Sequence, residues 1–200
     1  TIYQKGHNSG LIGTIWKQHH LEFAKFIKKF KPKKVLEIGG GHGILSKNSK
    51  SNYKNWTIIE PNPSPVKGCK AKFIKGYFTK SIIKDVQYDT IVHSHVIEHV
   101  FYPKKFLSDI SNSLKENQKM IFSIPNLREM IKKRYTNAIN FEHTLYLDAD
   151  ILNFLIKSFS FKIIKKKYFQ KDHSIFFAVK KINNIKSHKI KDNYKKNKKL

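Results

Sequence analysis

The sequence has 200 residues, with 40 Lys and Arg against 14 Asp and Glu, for a formal net charge of +26. That length suits one domain around one sizeable core. No apolar run approaches the roughly 18 residues of a membrane span, and a single cysteine, Cys69, rules out a framework of internal disulfides. The first ten residues hold no apolar signal-peptide core, so the expected compartment is the cytoplasm.

The positive charge is almost all lysine. Arg128 and Arg134 are the only arginines, and arginine is the usual reader of base edges. The lysines are scattered through every segment. We read them chiefly as compositional, with attraction of a phosphorylated substrate as the functional alternative.

In chain order, residues 1–30 read as an N-terminal lid and helix. Tyr3, Gly6, His7, Gly10, Gly13, Trp16, His19 and His20 fall in an irregular lead-in. Leu21, Phe23, Ala24, Phe26, Ile27 and Phe30 then repeat at helical spacing, until Lys31-Pro32 ends the helix. Val35–Ile38 is a short apolar strand. It breaks into Gly39, Gly40, Gly41 and Gly43, and a helical pattern resumes at Ile44 and Leu45. Strand, glycine turn and helix let the backbone approach a ligand closely, and Glu37 stands at the strand's carboxyl end, where open α/β sheets bind ligands. The dinucleotide pattern would need a third glycine at position 44 or 46, which are Ile44 and Ser46.

Trp56–Glu60 is a second apolar strand ending in an acid. A carboxylate accepts two O–H donors, so Glu60 suits a ribose diol. Pro61-Asn62-Pro63-Ser64-Pro65 forces a turn. Further strands are expected at 72–76, 88–93 and 119–124, with a helix from Pro103 to about Lys115. Tyr77 and Phe78 could cover an adenine ring, and Ser94 follows the fourth strand between His93 and His95. Residues 126–147 form a polar, aromatic insertion. An amphipathic helix then starts at Asp148. Two strands at 161–168 and 174–179 are separated by only a few residues, so they pair antiparallel. Residues 181–200, with eight lysines and one aspartate, read as a dispensable solvated tail.

Glu37-x-Gly39-x-Gly41-x-Gly43 resembles the acid–glycine signature of class I methyltransferases that use S-adenosylmethionine (SAM). Ile59-Glu60-Pro61 is similar to that family's second motif, and Tyr88–Val92 with Val96–Val100 to its fourth-strand region. Together the likeness spans about residues 33–180. It implies an α/β, Rossmann-like fold: a seven-stranded, mostly parallel sheet with an antiparallel last strand and helices on both faces, in a SAM-binding domain of residues 31–180. It implies SAM as cofactor, S-adenosylhomocysteine as product, and cofactor contacts from Glu37, Gly39, Gly40, Gly41, Gly43, Glu60, Pro61, Tyr77, Phe78, His93, Ser94 and His95.

The stretch Asn140–Leu147 resembles, more narrowly, the substrate-side histidine segment of sugar C-methyltransferases, though their cysteine-rich zinc domain has no counterpart here. The narrower likeness points to a small-molecule acceptor. It would be O-methylated: a sugar, a nucleotide-linked sugar or another phosphorylated precursor of surface polysaccharide. C- or N-methylation, or a nucleic-acid substrate, are the alternatives. Nucleic acid is disfavoured by the scarce arginine and by His93-Ser94-His95-Val96 standing where amino-methylating DNA enzymes carry a proline pair. A SAM-fold module without catalysis is disfavoured by the intact acid–glycine loop. Transfer to an alcohol needs a proton acceptor, and histidine titrates in the right range. His143 is the first candidate, then His95 and His93. Tyr3, His7, His19 and Tyr146 are expected to touch substrate. Glu98, His99, Glu142 and His143 could in principle bind a metal, but no metal is expected.

Overall fold

The computed structural model describes residues 13–49, 55–136 and 142–183. Tyr3 and His7 of the expected lid, Phe141 of the insertion, and residues 184–200 of the tail lie outside the described residues. Seven strands form one sheet in the order β3-β2-β1-β4-β5-β7-β6. They are β1 (Val35–Ile38), β2 (Trp56–Glu60), β3 (Lys72–Lys75), β4 (Thr90–Ser94), β5 (Lys119–Pro125), β6 (Phe161–Phe169) and β7 (Ser174–Lys181). This is the expected mixed sheet with an antiparallel final pair. The chain divides into two compact units, residues 1–94 with 118–122, and 95–117 with 123–200.

In the first unit β1 is buried at all four positions, the mark of a parallel strand covered on both faces. It pairs in parallel with β2 (Val35 opposite Trp56) and with β4 (Val35 opposite Thr90). Asp89 fixes the entry to β1: its Oδ2 accepts from the Lys33 and Lys34 amides at 2.9 and 3.1 Å. Helix α1 (Thr14–Lys28) begins well before the expected Leu21. The lead-in is helical because Trp16, His19 and Phe23 extend one face: the Trp16 and His19 rings meet edge-on at 5.2 Å, and those of His19 and Phe23 lie 5.9 Å apart. Helix α2 (Ile44–Asn48) follows the glycine turn, and α3 (Lys80–Ile83) is a short turn that Thr79 caps.

In the second unit a 3₁₀ turn (Ile97–His99) and α4 (Pro103–Ser113) come first. The insertion contains a short helix, α5 (Leu127–Lys132). Helix α6 (Ala149–Ser158) starts where predicted, because Asp148 Oδ1 accepts from the Asp150 and Ile151 amides at 2.9 and 2.7 Å. Strand β7 is buried from Ser174 to Val179, whereas β6 is buried only at Phe161 and Phe169, with Lys162 and Lys165 exposed between them. Lys181 is not tail but strand. It pairs with Phe161, and its carbonyl accepts from the Asn117 amide at 3.0 Å. Ile182 N–H likewise reaches Ser160 O at 2.9 Å.

Deleting residues 184–200 is therefore expected to leave the thermal midpoint within about 2 °C. Ending the chain at Lys180 removes two backbone hydrogen bonds, each worth about 1 kcal/mol, and should lower the midpoint by roughly 4–8 °C. Thermal unfolding followed by circular dichroism checks both.

Candidate active site

The first unit builds its site from the end of β1. Gly39 and Gly43 take φ of 73° and 65°, the left-handed region that suits glycine. Gly43 N–H closes the turn onto Gly40 O at 2.6 Å, and Gly39 N–H reaches Ile59 O at 2.9 Å. A Cβ on Gly40 would stand 2.5 Å from the Glu37 carboxyl, and one on Gly43 would overlap the Cys69 sulfur. A Cβ on Gly41 would meet only the Glu60 carboxylate, at 3.8 Å. The loop is thus packed from beneath at Gly40 and Gly43, with Gly41 facing Glu60.

The segment after β2 is tied to this loop. Ser64 N–H donates to Gly41 O at 2.9 Å, Val66 N–H to His42 O at 3.0 Å, and His42 Nδ1 to Ser64 O at 2.8 Å. Glu60 Oε1 accepts from the Asn62 amide at 3.0 Å, which aims the carboxylate at the end of the strand beside Pro61. Gly76 N–H bonds Glu60 O at 3.0 Å, bringing the start of the Tyr77-Phe78 stretch to the same strand end. Tyr77 is 56% exposed.

Glu37 does not face the loop's open side. It is buried, and its Oε2 accepts from Trp56 Nε1 at 2.7 Å. Burial pushes its carboxyl up to about 7 against the pull of that bond. Its role here is to support the loop. His93 is also interior, stacked on Phe122 with ring centroids 4.9 Å apart. With no exposed surface it cannot meet an acceptor, so its place among the catalytic candidates is not supported. His19 is likewise fully buried in α1, packed rather than presented to substrate.

The second unit gathers the remaining histidines. His95 takes φ 52°. Its Nδ1 lies 3.0 Å from Glu98 Oε1, and its Nε2 is 2.9 Å from Ser174 Oγ. Residues 142–147 are stitched to the 3₁₀ turn. Thr144 and Leu145 amides both donate to Glu98 O, at 2.9 and 3.1 Å, and Thr144 Oγ1 donates to Val100 O at 2.9 Å. His99 Nδ1 bonds Glu142 O at 3.0 Å. A carbonyl only accepts, so Nδ1 carries the proton. The His143 ring stands edge-on to His99 at 4.8 Å and lies 6.1 Å from Tyr146. Burial, then the neighbouring His99, lowers the His143 pKa, which keeps the imidazole neutral. A pocket opens here, lined by Glu98, His143, Tyr146, Leu145, Ile124 and Pro125 among others.

Residues 14–166 match a family described as a methyltransferase domain. The chain belongs to that family. The ubiquinone biosynthesis O-methyltransferase of Schizosaccharomyces pombe is 27% identical over 106 residues, covering 47% of this chain and 38% of that enzyme. The match thus spans well under half of the curated relative. Among solved structures, the magnesium protoporphyrin IX methyltransferase of Synechocystis, with S-adenosylhomocysteine bound, is 11% identical with a TM-score of 0.61, covering 90% of this chain and 91% of that one. The 1,6-didemethyltoxoflavin-N1-methyltransferase of Burkholderia thailandensis is 12% identical with a TM-score of 0.56, covering 82% and 79%. These structures share the fold, that of class I SAM-dependent methyltransferases.

The residues present fit SAM. Gly41 leaves open backbone opposite a carboxylate able to take both ribose hydroxyls. Trp56, Asn62 and Ser64 hold the loop and Glu60 in place, and sequence reasoning did not find them. No local pattern marks a tryptophan as the partner of an acid 19 positions earlier.

Glu60→Ala is expected to weaken SAM binding by roughly 1.5–3 kcal/mol per charge-assisted bond lost, read by calorimetric titration. Glu37 makes a separate prediction. The folded protein keeps the Glu37 proton up to about 7, while the unfolded chain releases it near 4.5. The unfolded state therefore binds fewer protons across that window, and this group's contribution to stability falls as pH rises through it. Glu37→Gln should flatten that part of the profile, measured by urea unfolding between pH 4.5 and 8.

Proposed function

We propose that this chain transfers the methyl group of SAM to an oxygen of a small molecule bound in the pocket beside His143. The observation that carries the reading is that pocket: a neutral imidazole and an exposed tyrosine on a segment pinned to the turn after β4, opening onto an apolar lining. SAM, when bound, supplies a methyl group already activated by its sulfonium. The chain's own task is to hold the acceptor in line, exclude water and receive the hydroxyl proton. His143 receives it in this reading: the O–H bond breaks toward the imidazole as the oxygen gains the methyl. His95, clamped between Glu98 and Ser174, orients the same turn.

Oxygen is favoured over carbon or nitrogen because the S. pombe relative is named for O-methyl transfer. Sugars, nucleotide-linked sugars and other phosphorylated precursors of surface polysaccharide are the acceptors to try first. The charge of +26 would draw phosphorylated ones toward the protein. Among the described residues no helix is long and apolar enough to cross a membrane.

His143→Ala should lower kcat by about 10²–10⁴ and leave SAM affinity within a few-fold. If the residue only positions the acceptor, KM rises while kcat holds. Steady-state kinetics with saturating SAM separate these outcomes, and an unchanged kcat and KM would remove His143 from the site.

A further inference from the structure

We infer that Glu98, His99 and His143 form a binding site for a divalent transition-metal ion at the wall of this pocket. One ligand atom from each of the three lies within 4.8 Å of the others. Donors at about 2.0–2.2 Å from one tetrahedral ion stand about 3.3–3.6 Å apart, so the three side chains would draw together by up to about 1.5 Å on binding. Two imidazoles and one carboxylate are the donors that zinc and its first-row neighbours accept. They leave positions open for water or substrate.

Three independent observations point the same way. The Glu98 side chain is 2% exposed, and its carboxylate sits among imidazoles, with His95 Nδ1 3.0 Å from Oε1. A buried carboxylate is costly to ionise unless a cation meets it. His99 has its tautomer fixed by the Nδ1–H bond to Glu142 O, which places the lone pair on Nε2. Metal-bound histidines are oriented in this way, through the other ring nitrogen on a backbone carbonyl. Finally, Glu98 and His143 both line the pocket, which gives an ion and a substrate a way in. His95 Nδ1, 3.0 Å from Glu98 Oε1, would steady the carboxylate from behind.

The site stands whether or not the pocket holds the methyl acceptor. Its consequence for catalysis rests on the reading above. With the ion bound, His143 is a ligand and has no lone pair for the acceptor's proton. The acceptor oxygen would take an open coordination position, and the ion would lower its pKa so that the proton passes to solvent. In the ion-free protein His143 would take the proton itself.

Co²⁺ titrated into the full chain freed of metal by chelation is the direct test, followed by visible absorption and by competition with Zn²⁺. One equivalent should give d–d bands that Zn²⁺ abolishes. Glu98→Gln and His99→Ala should each weaken Co²⁺ binding at least tenfold, with circular dichroism confirming that both variants fold. Absence of bands in the wild type, or equal binding by both variants, overturns the site. Turnover is a separate arm. Loss on chelation with recovery on adding Zn²⁺ or Mn²⁺ supports the catalytic step, while turnover indifferent to chelation overturns that step. Because Co²⁺ binding is read without substrate, failure of the methyltransferase reading would leave it unaffected.

Discussion

The architecture of the cofactor side depends on one buried carboxyl. Glu37 lies under the glycine turn, bonded to Trp56 across the β1–β2 pair. Removing a carboxyl from water costs several kcal/mol if it stays charged, so the group keeps its proton up to about 7 and behaves as a polar strut. The strut fits because Gly40 has no Cβ: any side chain there would collide with it. Glu37, Trp56 and Gly40 thus fix the shape of the turn together, and that shape presents Gly41 toward Glu60.

The second unit uses the same device, a buried acid next to a turn, for a different purpose. Glu98 anchors the insertion through its carbonyl, which takes both the Thr144 and Leu145 amides, while its side chain is left among imidazoles. Burial pushes this carboxyl up to about 7 as well, with a hydrogen bond from its own backbone amide, then His99 and His143, pulling the other way. Glu37 has a tryptophan donor and is structurally complete. Glu98 instead has its own amide and the His95 imidazole, 3.0 Å from Oε1, and so stands among groups that can themselves titrate.

Much of this was legible in the chain. The positions of the strands followed from their apolar and β-branched runs, and the seven-stranded arrangement from the family resemblance, while Asp148 marked the start of α6. The glycine turn and Glu60 could be placed because spacing along one segment determines them. What pattern could not supply was side-chain direction. Glu37 at a strand's carboxyl end reads as ligand-facing, yet the turn folds over it. His93 reads as a site residue by position, yet strand alternation points it into the sheet against Phe122. Residues up to His20 read as an irregular lead-in because glycines and histidines break the apolar repeat, whereas the rings of Trp16 and His19 extend the buried face of α1. Lys181 was assigned to the tail by its charge, although its backbone completes β7.

Part of the lysine excess, that on β6, has a physical reading that needs no polyanion. Strand β6 ends the sheet order and carries Lys162, Lys165, Lys166 and Lys167. An edge strand exposes unpaired backbone groups that invite another strand, and lysines along it oppose such pairing. Their stems also cover apolar surface. Lys166 Nζ lies 4.5 Å from the Tyr168 ring centre and 5.7 Å from that of Phe177, and Lys167 Nζ lies 5.9 Å from that of Phe176. A register shift between Ile163 and Lys165 further interrupts the edge. On this strand, charge, cation–π contact and bulge all keep the sheet from growing. The lysines there are accounted for by the fold before any substrate is invoked.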